Sequence, residues 1–156
     1  MPKMNTIGDF IDPESSSRLM SSIWNPGDVY GLRLNEENGI TPHGDDIDRY
    51  KYFIILGQDK VGNIYGGVVI NSKINSNLTS TLKLLHYPLS PHKYPFLRKN
   101  SFVNCVSLIH VKPETLSKGN LLGHILDEDL ILIRDTVVSS GLIPLILLKQ
   151  FGLVEP

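Results

Sequence analysis

Residues 50–72 read YKYFIILGQDKVGNIYGGVVINS, two apolar runs separated by Gly-Gln-Asp-Lys-Val-Gly-Asn. Aromatic and β-branched side chains fill 50–56 and 64–72, and the glycine-rich segment 57–63 between them carries turn chemistry, so the stretch predicts a β-hairpin. Gly66-Gly67 inside the second run predicts a bulge or a close backbone approach.

Outward from the hairpin the texture stays β. Residues 28–34 (DVYGLRL) predict a preceding strand, and 35–48 a polar loop broken by Gly39, Pro42 and Gly44. A further strand is expected over 82–87. Pro88, Pro91 and Pro95 keep the next stretch irregular, because proline neither donates to a ladder nor continues a helix. Residues 101–111 (SFVNCVSLIHV) are apolar at both alternating positions, as in a buried strand, with Asn104 and His110 expected on one face. The tail then turns helical. Asp127 is expected as an N-cap, Leu130, Ile133 and Val137 recur at helical spacing, Pro144 suits a first turn, and Gly152 a stop. Hairpin spacing followed by helices predicts a mainly β fold with C-terminal helices, a small twisted barrel of about five to seven antiparallel strands. Residues 1–25, with a short helix expected over 18–24, read as an N-terminal extension to a domain at 26–156.

The chain has 156 residues, 41% of them hydrophobic and 20% charged, which suits a packed domain. A single cysteine, Cys105, excludes an internal disulfide framework and multi-cysteine zinc, and mid-strand it reads as a buried, inert thiol. The opening residues lack an apolar signal segment, and no apolar run is long enough to span a bilayer, so a cytoplasmic chain without a membrane association is expected.

Charge is segregated along the chain. From Lys60 to Pro113 there is no Asp or Glu, but there are seven Lys/Arg: Lys60, Lys73, Lys83, Lys93, Arg98, Lys99 and Lys112. The net charge of −1 therefore hides a cationic centre, of the kind that binds a polyanion through counterion release. Within it His86, Tyr87, His92, Lys93, Tyr94, Phe96, Arg98 and Lys99 interleave cations and rings, and Lys73 is a further candidate contact. That pattern suits single-stranded RNA, with phosphates on cations and bases on rings. The same residues also suit a solvated loop that Tyr94 and Phe96 anchor to the core. Ser72, at the end of a strand, suits either a phosphate contact or turn chemistry. No phosphate-binding glycine loop or GxSxG elbow is present, the acidic loop around His43 matches no calcium motif, and no metal or cofactor is expected.

The order of these pieces resembles the MazF/PemK/CcdB-like toxin fold. Residues 26–29 (PGDV) open strand one, a long loop precedes 51–56 (KYFIIL), 68–72 ends in Ser72, and a late strand leads through Gly123 to a helix. The resemblance implies an SH3-like barrel and a metal-independent endoribonuclease that works as a homodimer and is inhibited by an antitoxin. It implies that an RNA 2′-hydroxyl attacks the adjacent phosphate, with Lys51 and Ser72 at catalytic positions and His43 in a groove-lining loop. The chain departs from the family in two places. Lys51-Tyr52 replaces an Arg-Pro dipeptide, and Val103-Asn104-Cys105-Val106 replaces a late-strand Arg and Asp. Lysine is a point charge rather than a bidentate clamp, and asparagine is no base. The base is then expected to be His43, His86 or His92, with Arg98 or Lys99 as clamp. The alternative is a non-catalytic barrel module that binds RNA or a protein partner.

Overall fold

The computed structural model describes residues 24–41 and 44–156. His43 and residues 18–23 of the expected short helix lie outside them. The hairpin forms as its sequence predicts. Strand β2 (Arg49–Gln58) turns into β3 (Tyr65–Asn71). Asp59 organises the turn: its Oδ1 accepts the amides of Asn63 and Ile64 at 2.7 and 3.3 Å, and its own amide donates to the Ile64 carbonyl. The register slips between Ile55 and Gly57 and again between Gly67 and Val69. Gly67 is obligatory there, since a Cβ would stand 1.9 Å from the Ile54 carbonyl oxygen.

Around this hairpin lie β1 (Asp28–Leu34), the short helix α1 (Ser80–Lys83), β4 (His86–Leu89) and β5 (Ser101–Val111). The helix α2 (Pro113–Ser117), β6 (Asn120–His124), α3 (Asp127–Ser139) and α4 (Leu145–Gln150) follow. The sheet runs β4-β5-β3-β2-β1-β6, every pairing antiparallel, and curls into a half-barrel. No helix among the described residues is long and apolar enough to cross a membrane.

Each face of the sheet carries its own core. Val29, Ile54, Leu56, Val68, Ile70, Val103 and Cys105 pack on one side, beneath Leu130, Ile133 and Val137 of α3 and Leu148 and Phe151 from the C-terminal end. Tyr30, Leu32, Phe53, Ile55, Tyr65, Val69, Ile109 and Val111 pack on the other, with Leu116 of α2 and the half-buried Trp24. Burying one large aliphatic side chain contributes about 1.5–3 kcal/mol, and β2 and β3 place such side chains on both faces of the sheet.

Four expectations require correction. Residues 82–87 are not one strand: Thr79 Oγ1 accepts the Leu82 amide and caps α1, and β4 begins only at His86. Pro88 then fits inside β4, because an edge strand bonded only to β5 leaves alternate amides unused. Asp127 is not the N-cap of α3. It occupies the first helical position after Leu126, where its charge still suits the positive helix end. Asn104 and His110 do not share a face. Gly67 pairs with Ile109 and Val69 with Asn104, so β5 bulges in between and its alternation inverts. Val103 and Cys105 therefore face one core and Ile109 and Val111 the other. The strand β6 was not expected, since its half-exposed Asn-Leu-Leu-Gly-His lacks β-branched residues.

Candidate nucleic-acid interface

A groove of about 990 Å³ opens at the end of the sheet where β2 begins and β3 finishes. The start of β2 supplies Arg49, Tyr50, Lys51 and Tyr52, and the end of β3 with its following loop supplies Asn71, Ser72 and Lys73. Arg98 and Lys99 close it from the β4–β5 connection, with His86, Ser101 and Asn104 at its base. Its lining holds five Lys/Arg and no Asp or Glu. None of these five pairs with a carboxylate among the described residues.

The register explains the centre of this site. Tyr52 pairs with Ile70, so Lys51 and Asn71 stand opposite each other one step further out, and Lys51 Nζ donates to Asn71 Oδ1 at 2.6 Å. Partial burial, with the nearby Arg49 guanidinium adding to it, holds the Lys51 ammonium below the ordinary lysine range. Arg49 reaches the Thr41 carbonyl at 3.4 Å. His86 is buried, with Nδ1 2.9 Å from the Leu82 carbonyl. A carbonyl only accepts, so Nδ1 carries the proton and Nε2 is left as the second nitrogen of the ring. Asn104, directly across from His86, accepts the Val106 amide through Oδ1 at 3.0 Å, and its Nδ2 is the donating atom of the side chain. Ser101 Oγ donates to the Lys99 carbonyl at 2.9 Å and fixes the base of the Arg98-Lys99 segment.

Six residues singled out from the sequence meet in this groove: Lys51, Ser72, Lys73, His86, Arg98 and Lys99. His92, Lys93, Tyr94 and Phe96 do not line it. They belong to a strap, residues 90–100, that folds over the start of α3. There Lys93 Nζ lies 2.6 Å from Glu128 and 2.9 Å from Asp129. Tyr94 is buried and donates to Asp129 Oδ2, Tyr87 donates to Oδ1 at 2.6 Å, and the Leu126 amide donates to the Tyr94 hydroxyl at 3.1 Å. Burial and then the bond to Asp129 push the Tyr87 hydroxyl up to about 12. Phe96 is half-buried between Tyr52 and Tyr94, and His92 stands exposed with its amide on Ser90 Oγ. Cys105 is fully buried, and burial pushes its thiol up to about 12, a range that excludes a nucleophilic role near neutrality.

Arg49, Tyr50 and Asn71 join the site without having been singled out. Tyr50 and Asn71 are immediate neighbours of Lys51 and Ser72, which were, and Arg49 lies two residues before Lys51 on the same strand. No protein-family model matches the chain, and no curated protein sequence matches it.

Proposed function

We propose that this groove binds single-stranded RNA and that the chain is a toxin-type, metal-independent endoribonuclease, with a homodimer as the working unit and an antitoxin as its inhibitor. The observation that carries the proposal is the concentration, around Ser72 and His86 at one strand end, of five Lys/Arg that no carboxylate among the described residues pairs with. Clustered cations attract a phosphate backbone, and an open groove admits a strand rather than a small molecule.

In the cleavage step the 2′-oxygen attacks the adjacent phosphorus while its proton passes to His86 Nε2. The bond from phosphorus to the 5′-oxygen breaks, and the leaving oxygen takes a proton from the Lys51 ammonium. An ammonium held below the ordinary lysine range gives up a proton more readily than a free one. Arg98 and Lys99 face the charge that accumulates on the phosphate, and Ser72 donates to a non-bridging oxygen. The products are a cyclic 2′,3′-phosphate and a 5′-hydroxyl end. The burial of His86, only 9% exposed, favours a second reading, an RNA-binding module without cleavage.

Incubation with unstructured RNA in EDTA separates the two. The enzyme reading expects fragments with 5′-hydroxyl ends that His86→Gln abolishes while binding persists. Salt-sensitive binding without fragments supports the module. Absence of binding even at low salt rejects both.

A further inference from the structure

Four aromatic rings run in a row from the interior toward the groove. Tyr94 lies 5.9 Å from Phe96, Phe96 lies 6.1 Å from Tyr52, and Tyr52 lies 5.9 Å from Tyr50. Exposure rises along the row, from 2% at Tyr94 to 49% at Tyr50. The outermost ring is nevertheless held. Tyr52 meets it edge-on at 85°. Its hydroxyl end lies over Gly31 of β1, where a Cβ would stand 1.9 Å from the hydroxyl oxygen and 2.7 Å from Cζ. A glycine at this position leaves room for the ring to lie across the neighbouring strand. Tyr50 also lines the cationic groove, beside Arg49 and Lys51.

We infer that Tyr50 is a stacking platform for one unpaired nucleobase, so that the groove selects single-stranded RNA over polyanions that offer no free base. The inference rests on the RNA reading of the groove and adds to it the element that discriminates. The cations attract any polyphosphate, whereas a flat, pre-positioned phenol adds affinity only when a base can lie on it. A duplex keeps its base faces covered, and inorganic polyphosphate has none. Tyr94 and Phe96, in which the sequence suggested this role, are turned inward and support the row instead.

The test is competition binding of the full chain with three probes: a fluorescent oligouridylate, the same backbone with abasic riboses, and inorganic polyphosphate. Tyr50→Leu is expected to weaken the oligouridylate by about tenfold and to leave the other two unchanged, while Tyr50→Phe retains wild-type binding. Gly31→Ala supplies an independent route. Its Cβ displaces the hydroxyl end of a flexible side chain, so the fold is retained and the same selective loss is expected. Equal weakening of all three probes by Tyr50→Leu, or no weakening, overturns the platform while leaving the groove intact. A wild-type chain that binds none of the three overturns the groove reading and the platform with it.

Discussion

Lys93 and Arg98 lie five residues apart on the same proline-stiffened strap and meet opposite electrostatic surroundings. Lys93 is brought over the start of α3, where Glu128 and Asp129 from the acidic C-terminal part of the chain neutralise it at 2.6 and 2.9 Å. Arg98 follows the buried Leu97 and lines a groove that holds no carboxylate among the described residues. Sequence segregation of charge thus becomes spatial segregation at one end of the strap and is cancelled at the other. An acid-free segment is not a uniform binding surface. The fold selects which of its cations remain available, and it does so through where a helix start happens to dock.

Breaking the neutralised end should have the largest effect. Asp129 accepts from two tyrosines and from Lys93 while itself buried. Asp129→Ala leaves those hydroxyls without their acceptor and should cost about 2–4 kcal/mol, read as a lower denaturation midpoint. The loss should depend on pH. Burial alone would raise the carboxyl, but the bonds from Tyr87, Tyr94 and Lys93 outweigh it and hold its pKa below the ordinary Asp value. A group depressed in the fold contributes stability above its unfolded pKa of about 4, and that contribution is lost as pH falls through the folded value. The difference between wild type and Asp129→Ala should therefore be full at neutrality and shrink in acid. A difference that stays constant down to pH 2 would show that the carboxylate charge contributes nothing.

The groove end is broken by removing its cations. Arg98→Gln with Lys99→Gln should weaken oligouridylate binding by roughly tenfold or more and flatten the plot of log affinity against log salt by about 1.4, at about 0.7 per lost phosphate contact on a single strand. Lys93→Gln is the matched control on the same strap. It should leave RNA affinity unchanged and instead increase amide exchange at Leu126, which bonds to the Tyr94 hydroxyl. Equal loss of RNA affinity in the two variants would remove the distinction between the ends of the strap.

The legible part of this fold was local. The hairpin, the buried residues of β5 and the spacing of Leu130, Ile133 and Val137 all follow from periodicity, because burial against a sheet imposes a period on the sequence. β6 escaped because a strand recruited to an edge by β1 needs little propensity of its own. The inverted alternation of β5 escaped because a bulge leaves no residue-type signature when both faces are apolar. In the site, charge was legible as a stretch, and its Lys73, Arg98 and Lys99 converge with Ser72 and with Lys51, which lies outside it. Which rings face the groove was not. Tyr94 and Tyr50 are the same residue type beside a lysine, and only the docking of the strap on Asp129 distinguishes them.

The smallest effect should come from Lys51, and it bears on the same contrast between spent and available charge. Burial and then the neighbouring Arg49 depress its pKa, whereas the carboxylates that bond Lys93 raise that ammonium's pKa well above the ordinary value. A depressed amine is uncharged at a pH where an ordinary lysine, near 10.4, still holds its proton. Its phosphate contact should therefore weaken as pH rises toward the ordinary lysine range. RNA affinity should fall a few-fold as pH rises from neutrality toward the ordinary lysine range in the wild type, and Lys51→Arg should make that decline smaller, since a guanidinium stays protonated throughout. Lys93→Gln should leave the decline as it is. A wild-type profile as flat as that of Lys51→Arg would mean that Lys51 keeps its bond to Asn71 and never reaches the strand.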